Sequence, residues 1–173
     1  GMTLDDALGE AFDKVAKLIN IGFPGGPQIE KFALKGKPII DLAQPLINSK
    51  DCNFSFSGLK TSVLNVVNTK KKKSNEFKSN ICCSFQHTIL NILKKKYEIG
   101  LNKFSKKYPN IKKNIVLVGG VASNKFLRKN LKKFATINNS KLIVPSKNLC
   151  TDNAAMIALV AIEKFKKNKI NNF

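Results

Sequence analysis

The residues able to do chemistry begin in the one acidic stretch of a strongly basic chain. Asp5, Asp6, Glu10 and Asp13 crowd into residues 1–13, ahead of Pro24-Gly25-Gly26-Pro27. A second candidate is Val118-Gly119-Gly120-Val121-Ala122-Ser123-Asn124. Paired glycines let backbone approach a ligand closely, and free N–H groups at a helix start attract anions. Phosphate or nucleotide binding is the functional reading; a plain strand–turn–helix connection with a Ser123 cap is the structural alternative. The third candidate is Leu149-Cys150-Thr151-Asp152-Asn153, which sets a carboxylate at the start of a helix. Ligands of open α/β sheets gather at such edges, so Asp152 reads either as a metal ligand or as a helix cap.

His87 is the only histidine. A single His excludes an H-E-x-x-H metalloprotease and leaves a His-based triad without support, so His87 is expected as a surface or half-buried helix residue. The four cysteines, Cys52, Cys82, Cys83 and Cys150, show no C-x-x-C spacing. They read as reduced thiols in a cytosolic protein, with Cys82-Cys83 packing in a core rather than acting as nucleophiles.

The elements that must hold these residues follow from periodicity. Thr3-Leu4-Asp5-Asp6 has the form of a capping box, opening a helix to about residue 20. Leu8, Ala11, Phe12, Val15 and Ile19 share its apolar face, and Asp6, Glu10, Asp13 and Lys17 its polar face. Gly9 beside that stripe leaves room for something to approach the backbone, and the Pro-Gly-Gly-Pro run reads as a rigid turn. A short helix and a loop are expected over 28–50, a strand over 53–58, a helix over 59–67 and a solvated loop over 69–75. A long helix over 78–107 buries Ile81, Phe85, Ile89, Ile92 and Leu93. The last third reads strand (115–118), helix (Leu127, Leu131 and Phe134 on one side), strand (141–145), and a final helix beginning at Thr151-Asp152 and running through Ala155, Ile157, Val160 and Phe165. Parallel pairing with a right-handed crossover is the default for such a unit. The fold class is therefore α/β.

With 173 residues, the chain has room for an ordinary domain core. No apolar run approaches the roughly 20 residues of a bilayer span, and the acidic, amphipathic start is no signal peptide. A soluble, cytoplasmic protein without a membrane partner is expected. The formal net charge of +20 suits a nucleic-acid partner. Arg128 is the only arginine, however, and the excess is lysine accompanied by Asn and Ile, as an A/T-rich genome would impose.

Five stretches, in order, make the chain resemble the TsaD/Gcp family, formerly called O-sialoglycoprotein endopeptidase. They are residues 3–14 (Thr-Leu-Asp-Asp-Ala-Leu-Gly-Glu-Ala-Phe-Asp-Lys), 23–27 (Phe-Pro-Gly-Gly-Pro), 54–61 (Phe-Ser-Phe-Ser-Gly-Leu-Lys-Thr), 119–124 (Gly-Gly-Val-Ala-Ser-Asn) and 150–156 (Cys-Thr-Asp-Asn-Ala-Ala-Met). The resemblance implies a helix-rich partial lobe of an actin-like ATPase (ASKHA) fold with a short parallel sheet. It implies a tRNA N6-adenosine threonylcarbamoyltransferase, which moves threonylcarbamoyl from threonylcarbamoyl-AMP to an adenine N6 beside the anticodon. It implies nucleotide contacts at Asp13, Gly26, Gly119, Gly120 and Asn124, with Glu30 standing where relatives usually carry aspartate. It implies a metal ligand at Asp152, for a divalent ion such as iron or zinc. An adenine nucleotide, tRNA and the other subunits of the threonylcarbamoyl-transfer complex are the implied cofactor and partners.

These assignments suit the residue types. A carboxylate at Asp13 can accept from ribose hydroxyls, Gly26 lets backbone lie against a flat ring, and Asn124 offers both donor and acceptor. Family members run about twice this length, since actin-like proteins pair two domains. No H-x-x-x-H motif, the family's other metal-ligand source, is present. Residues 1–173 are therefore expected to be the C-terminal half of such a protein, inactive alone and without catalytic residues of its own, with self-association covering its exposed sheet edge and helix faces. A non-catalytic assembly module is the alternative. The peptidase label is disfavoured because this chain lacks a metal-ligand set.

Overall fold

The computed structural model describes residues 1–70 and 73–167. Its core is a set of helices rather than a sheet. Helix α1 (Leu8–Leu18) buries Ala11, Phe12, Val15 and Ala16, the face that its periodicity predicts. Helix α2 (Gly25–Ala33) buries Ile29 and Ala33, and α3 (Ser57–Asn68) buries Leu59, Val63 and Val67. Helix α2 packs along the 33-residue α4 (Asn75–Lys107), α1 packs against both α2 and α3, and all four helices share one hydrophobic core. Ile81, Phe85, Ile89, Ile92 and Leu93 of α4 are buried, and Phe85 meets Phe12 edge-on with ring centroids 5.1 Å apart. Removing a ring from such a contact costs about 3–5 kcal/mol.

Beyond the helical core, β1 (Asn114–Val116) pairs with β2 (Lys141–Ile143) in parallel, with Ile115 opposite Leu142. Between them run a 3-10 turn (Gly120–Ser123) and α5 (Lys125–Ile137), which buries Leu127, Leu131 and Ala135. Leu101 of α4, Ile115 and Ala135 form a small second core under the sheet. A second 3-10 turn (Lys147–Leu149) leads to α6 (Ala154–Lys166), none of whose residues is buried. The chain is thus helix-rich α/β with a two-stranded parallel sheet.

Several local expectations are corrected by packing. Thr3 does not cap α1; it forms an isolated bridge with Phe54, and the helix starts five residues later. Glu10 makes the reach back that the capping box assigns to Asp6, accepting from the Ala7 N–H at 3.4 Å. Pro24-Gly25-Gly26-Pro27 is not a free-standing turn but the opening of α2, as Pro in a first helical turn permits. The strand expected over 53–58 is reduced to the Phe54 bridge, because α3 already begins at Ser57. Asn124, not Ser123, caps α5, and Asn153, not Asp152, caps α6. The lysine loop over 69–75 falls partly outside the described residues.

Candidate functional site

A cavity of about 630 Å³ opens where α1, α2, α4 and the β1–α5 connection meet. Its lining includes Asp13, Gly26, Glu30, Gly119, Gly120 and Asn124, drawn from segments more than a hundred residues apart in the chain. Leu8, Phe12, Leu93, Leu117, Val118 and Val121 supply an apolar lining. Leu93 and Thr151 also line it, with no motif in the sequence to mark them for this cavity. Leu93 shows only as a core position on a helix, and nothing local distinguishes a core side chain from one at a cavity floor.

Asp13, Glu30 and Asn124 at the rim also tie the rim together. Asp13 accepts from the Gly25 N–H at 2.7 Å, so a carboxylate of α1 caps the start of α2. That contact explains the first glycine of the pair. A Cβ on Gly25 would lie 2.5 Å from the Phe12 carbonyl oxygen, so no larger residue allows α2 to dock so closely. A Cβ on Gly26 would meet nothing within 4 Å, so backbone is exposed to the cavity there. Glu30 accepts from the Lys125 N–H at 2.6 Å and so joins α2 to the start of α5. Asn124 accepts from the Leu127 N–H at 2.9 Å and donates to Gln86 Oε1 at 2.7 Å. Its amide is thus largely engaged inside the protein, and Asn124 positions the wall more than it reaches into the space. Among the described residues, the second carboxylate oxygens of Asp13 and Glu30 have no hydrogen-bond partner.

Gly119 holds φ at 86°, a conformation that side chains other than glycine adopt with strain. This sharp bend turns the end of β1 into the 3-10 turn, whose first N–H groups have no partner within the turn. Arg128 fixes the bend from behind. Its guanidinium donates to the Ala122 carbonyl, to the Pro145 carbonyl at 2.9 Å and to Cys150 Sγ at 3.0 Å. The sole arginine is therefore a bracket joining the Gly119–Ser123 turn to the segment that carries Thr151.

The acidic opening resolves into separate tasks. Asp5 accepts from the Phe56 and Ser57 N–H groups and from the Ser55 and Ser57 hydroxyls, gathering the start of α3. Burial would raise its pKa, but these four hydrogen bonds hold it well below the usual carboxylate range. Asp6 and Glu10 both pair with Lys14 at 2.7 Å. Asp13 alone among them faces the cavity.

The remaining candidates lie elsewhere. Asp152 is exposed and is not among the cavity-lining residues. No group of three or more His, Cys, Asp or Glu that could hold a metal occurs among the described residues. A lone exposed carboxylate does not fit a divalent ion, which needs several donors. His87 is half-buried beside the Phe126 ring, where burial and then Lys94 lower its pKa. Cys82 is pushed up to about 12, chiefly by burial, which makes it a core residue rather than a nucleophile.

The cavity thus offers an apolar surface, carboxylate oxygens able to accept hydrogen bonds, and backbone N–H groups able to meet an anion. The TsaD family model, described as tRNA N6-adenosine threonylcarbamoyltransferase, matches residues 1–159. The tRNA N6-adenosine threonylcarbamoyltransferase of Rickettsia conorii (strain ATCC VR-613 / Malish 7) is 48% identical over 172 residues, covering 98% of this chain and 50% of the relative. That of Pelagibacter ubique (strain HTCC1062) is 48% identical over 167 residues, covering 96% of this chain and 46% of the relative. The chain spans about half the length of the curated relatives it matches. It belongs to the TsaD family of tRNA N6-adenosine threonylcarbamoyltransferases.

Proposed function

We propose that this chain supplies one wall of the nucleotide site of a tRNA threonylcarbamoyltransferase and is inactive alone. The observation that carries the reading is the cavity itself, where Asp13, Gly26, Glu30, Gly119 and Gly120 meet around apolar side chains. In the proposed reaction, the adenine N6 amine of a tRNA attacks the carbonyl carbon of threonylcarbamoyl-AMP. The bond from that carbon to the phosphate oxygen breaks, AMP leaves, and N6 loses a proton. This chain holds the AMP part. The free Asp13 oxygen accepts from a ribose hydroxyl, the backbone at Gly26 lies against the ring or sugar, and the Gly119–Gly120 turn faces the phosphate. Asn124 acts by keeping α5 and Gln86 in place.

The divalent ion implied by the family is not assigned to this chain by its residues. Asp152 would be at most one ligand, with the others supplied from outside residues 1–173. A cytoplasmic setting fits a tRNA substrate, and no helix among the described residues is long and apolar enough to cross a membrane.

Isothermal titration of the chain with AMP tests this. The expected result is a saturable heat that Asp13→Asn weakens about tenfold, a change of about 1.4 kcal/mol. Asparagine can still accept from Gly25, so the fold survives the change. No binding, or binding that Asp13→Asn leaves intact, would overturn the assignment.

A second reading, an assembly module, is favoured by the exposed apolar side chains of α6. Under it the chain works by self-association or by joining other subunits of the threonylcarbamoyl-transfer complex.

A further inference from the structure

A second cavity, of about 430 Å³, lies between α4 and the segment 48–50. Lys95, Ile99, Asn102, Lys103 and Lys106 of α4 line one side; Asn48, Ser49 and Lys50 line the other. At about 100° per residue the five α4 positions share one face, roughly opposite the face that Leu93 turns to the nucleotide cavity. Lys50, Lys103 and Lys106 form no ion pair among the described residues, and Lys95 pairs only with the exposed Glu98 at 3.2 Å. Surface pairs of that kind are weak.

The groove is built rather than incidental. Its loop wall is held by Lys96, which is 2% exposed. The Lys96 ammonium donates to the Leu46 carbonyl at 2.7 Å, to Ser49 Oγ at 2.6 Å and to the Asp51 carbonyl at 3.3 Å. Asp51 Oδ1 stands 3.7 Å away as counter-charge. One buried lysine thus fixes the loop so that Asn48 and Lys50 face the exposed lysines of the next turns of α4.

We propose that this groove binds the sugar–phosphate backbone of a folded RNA. With a rise of 1.5 Å per residue, Lys95 and Lys106 lie about 16 Å apart along α4, enough to meet successive phosphates rather than one small anion. Asn48 and Asn102 add hydrogen-bonding groups for phosphate and 2′-hydroxyl oxygens. No aromatic residue lines the groove, so it lacks the stacking platform that reads splayed single-stranded bases. Ile99 is its only apolar lining residue, so it also lacks the apolar centre of a protein–protein interface. Lysines without stacking or anchoring residues read charge and shape, which is recognition of a backbone. The inference stands apart from the nucleotide cavity and does not require it.

The test is fluorescence anisotropy of the purified chain with a labelled, unmodified tRNA transcript, across a salt series. The triple variant Lys50→Gln, Lys103→Gln, Lys106→Gln is compared with Lys129→Gln, Lys132→Gln, Lys133→Gln on α5, which removes the same charge elsewhere. The groove variant is expected to bind at least about tenfold more weakly and to lower the slope of log K against log salt by about 2. The α5 variant is expected to change both much less. Equal losses in the two variants, no loss in the groove variant, or competition by poly-aspartate as strong as by RNA at matched charge would each overturn it. AMP binding should be the same in the groove variant, so failure of this proposal is distinguishable from failure of the nucleotide assignment.

Discussion

Two adjacent glycines in the Pro24–Pro27 stretch do opposite work, and single methyl groups separate them. At Gly25 a Cβ would press on Phe12 and Asp13 backbone at 2.5 and 2.6 Å, so Gly25→Ala must push α2 off α1. Overpacking of this kind costs about 1–3 kcal/mol. At Gly26 the same methyl meets nothing, so Gly26→Ala is expected to stabilise α2 by up to about 1 kcal/mol through helix propensity. It should nevertheless weaken AMP binding, because the methyl stands in the cavity. Thermal melts beside AMP titrations check the pair; a destabilised Gly26→Ala, or one that binds AMP as the parent does, contradicts it. Asp5 gives the pH dependence. Its folded pKa lies below that of an unfolded aspartate, about 3.9. Its contribution is therefore full above about pH 4 and is lost as pH falls through the folded value. Asp5→Asn should cost about 0.5–2 kcal/mol at neutral pH, as for a lost cap, with the gap to the parent closing below about pH 4. Urea unfolding across that range measures it.

Among the elements, the β1–α5 connection depends on one side chain. Arg128 grips Ala122, Pro145 and Cys150 at once, a task for a planar fork of donors and not for a point charge. Arg128→Lys should therefore loosen the Gly119–Ser123 turn while leaving α1 to α4 as they are. Hydrogen exchange is expected to quicken at the turn amides by about tenfold or more, for a loss of about 1–3 kcal/mol in local contacts. Unchanged protection at the turn, or equal loss throughout the helical core, would show that the bracket is not local. The same logic explains why the rim is polar yet stable. Asp13, Glu30 and Asn124 each satisfy a helix N-terminus before they offer anything to a ligand.

For the whole molecule, the outstanding feature is surface left without cover. Ile157 is 65% exposed, Phe165 68% and Val118 66%, and Leu159, Val160 and Ile162 stand exposed beside them on α6. Isolated apolar residues on a surface need no explanation, but a helix exposed on every side does. Self-association through α6 is the expected consequence. Sedimentation at micromolar concentration should show oligomers that Ile157→Lys with Val160→Lys disperses to monomers. A parent that sediments as a monomer throughout would refute it.

Local chemistry made much of the helical framework legible in the sequence. Apolar residues at helical spacing identify the buried faces of α1, α4 and α5, and the paired strands around Gly119-Gly120 announce a parallel unit. Gly119-Gly120 stand out in the sequence as a strand–helix junction open to an anion, whereas Asp13, Gly26 and Glu30 are tied to that junction only by motif resemblance, since nothing in their individual types says that Asp13 and Gly119 meet. Three-dimensional packing decided the rest. It gave the carboxylates Asp5, Asp13 and Glu30 partners far along the chain, so that each gathers another helix's amides. It turned Pro24–Pro27 into a helix start, because only there can Gly25 touch α1. It left α6 without the partner its apolar face requires, and it built the lysine groove from segments about 50 residues apart. Periodicity reports which face of an element avoids water; which partner that face or a capping oxygen finds is set by long-range contacts that no local pattern encodes.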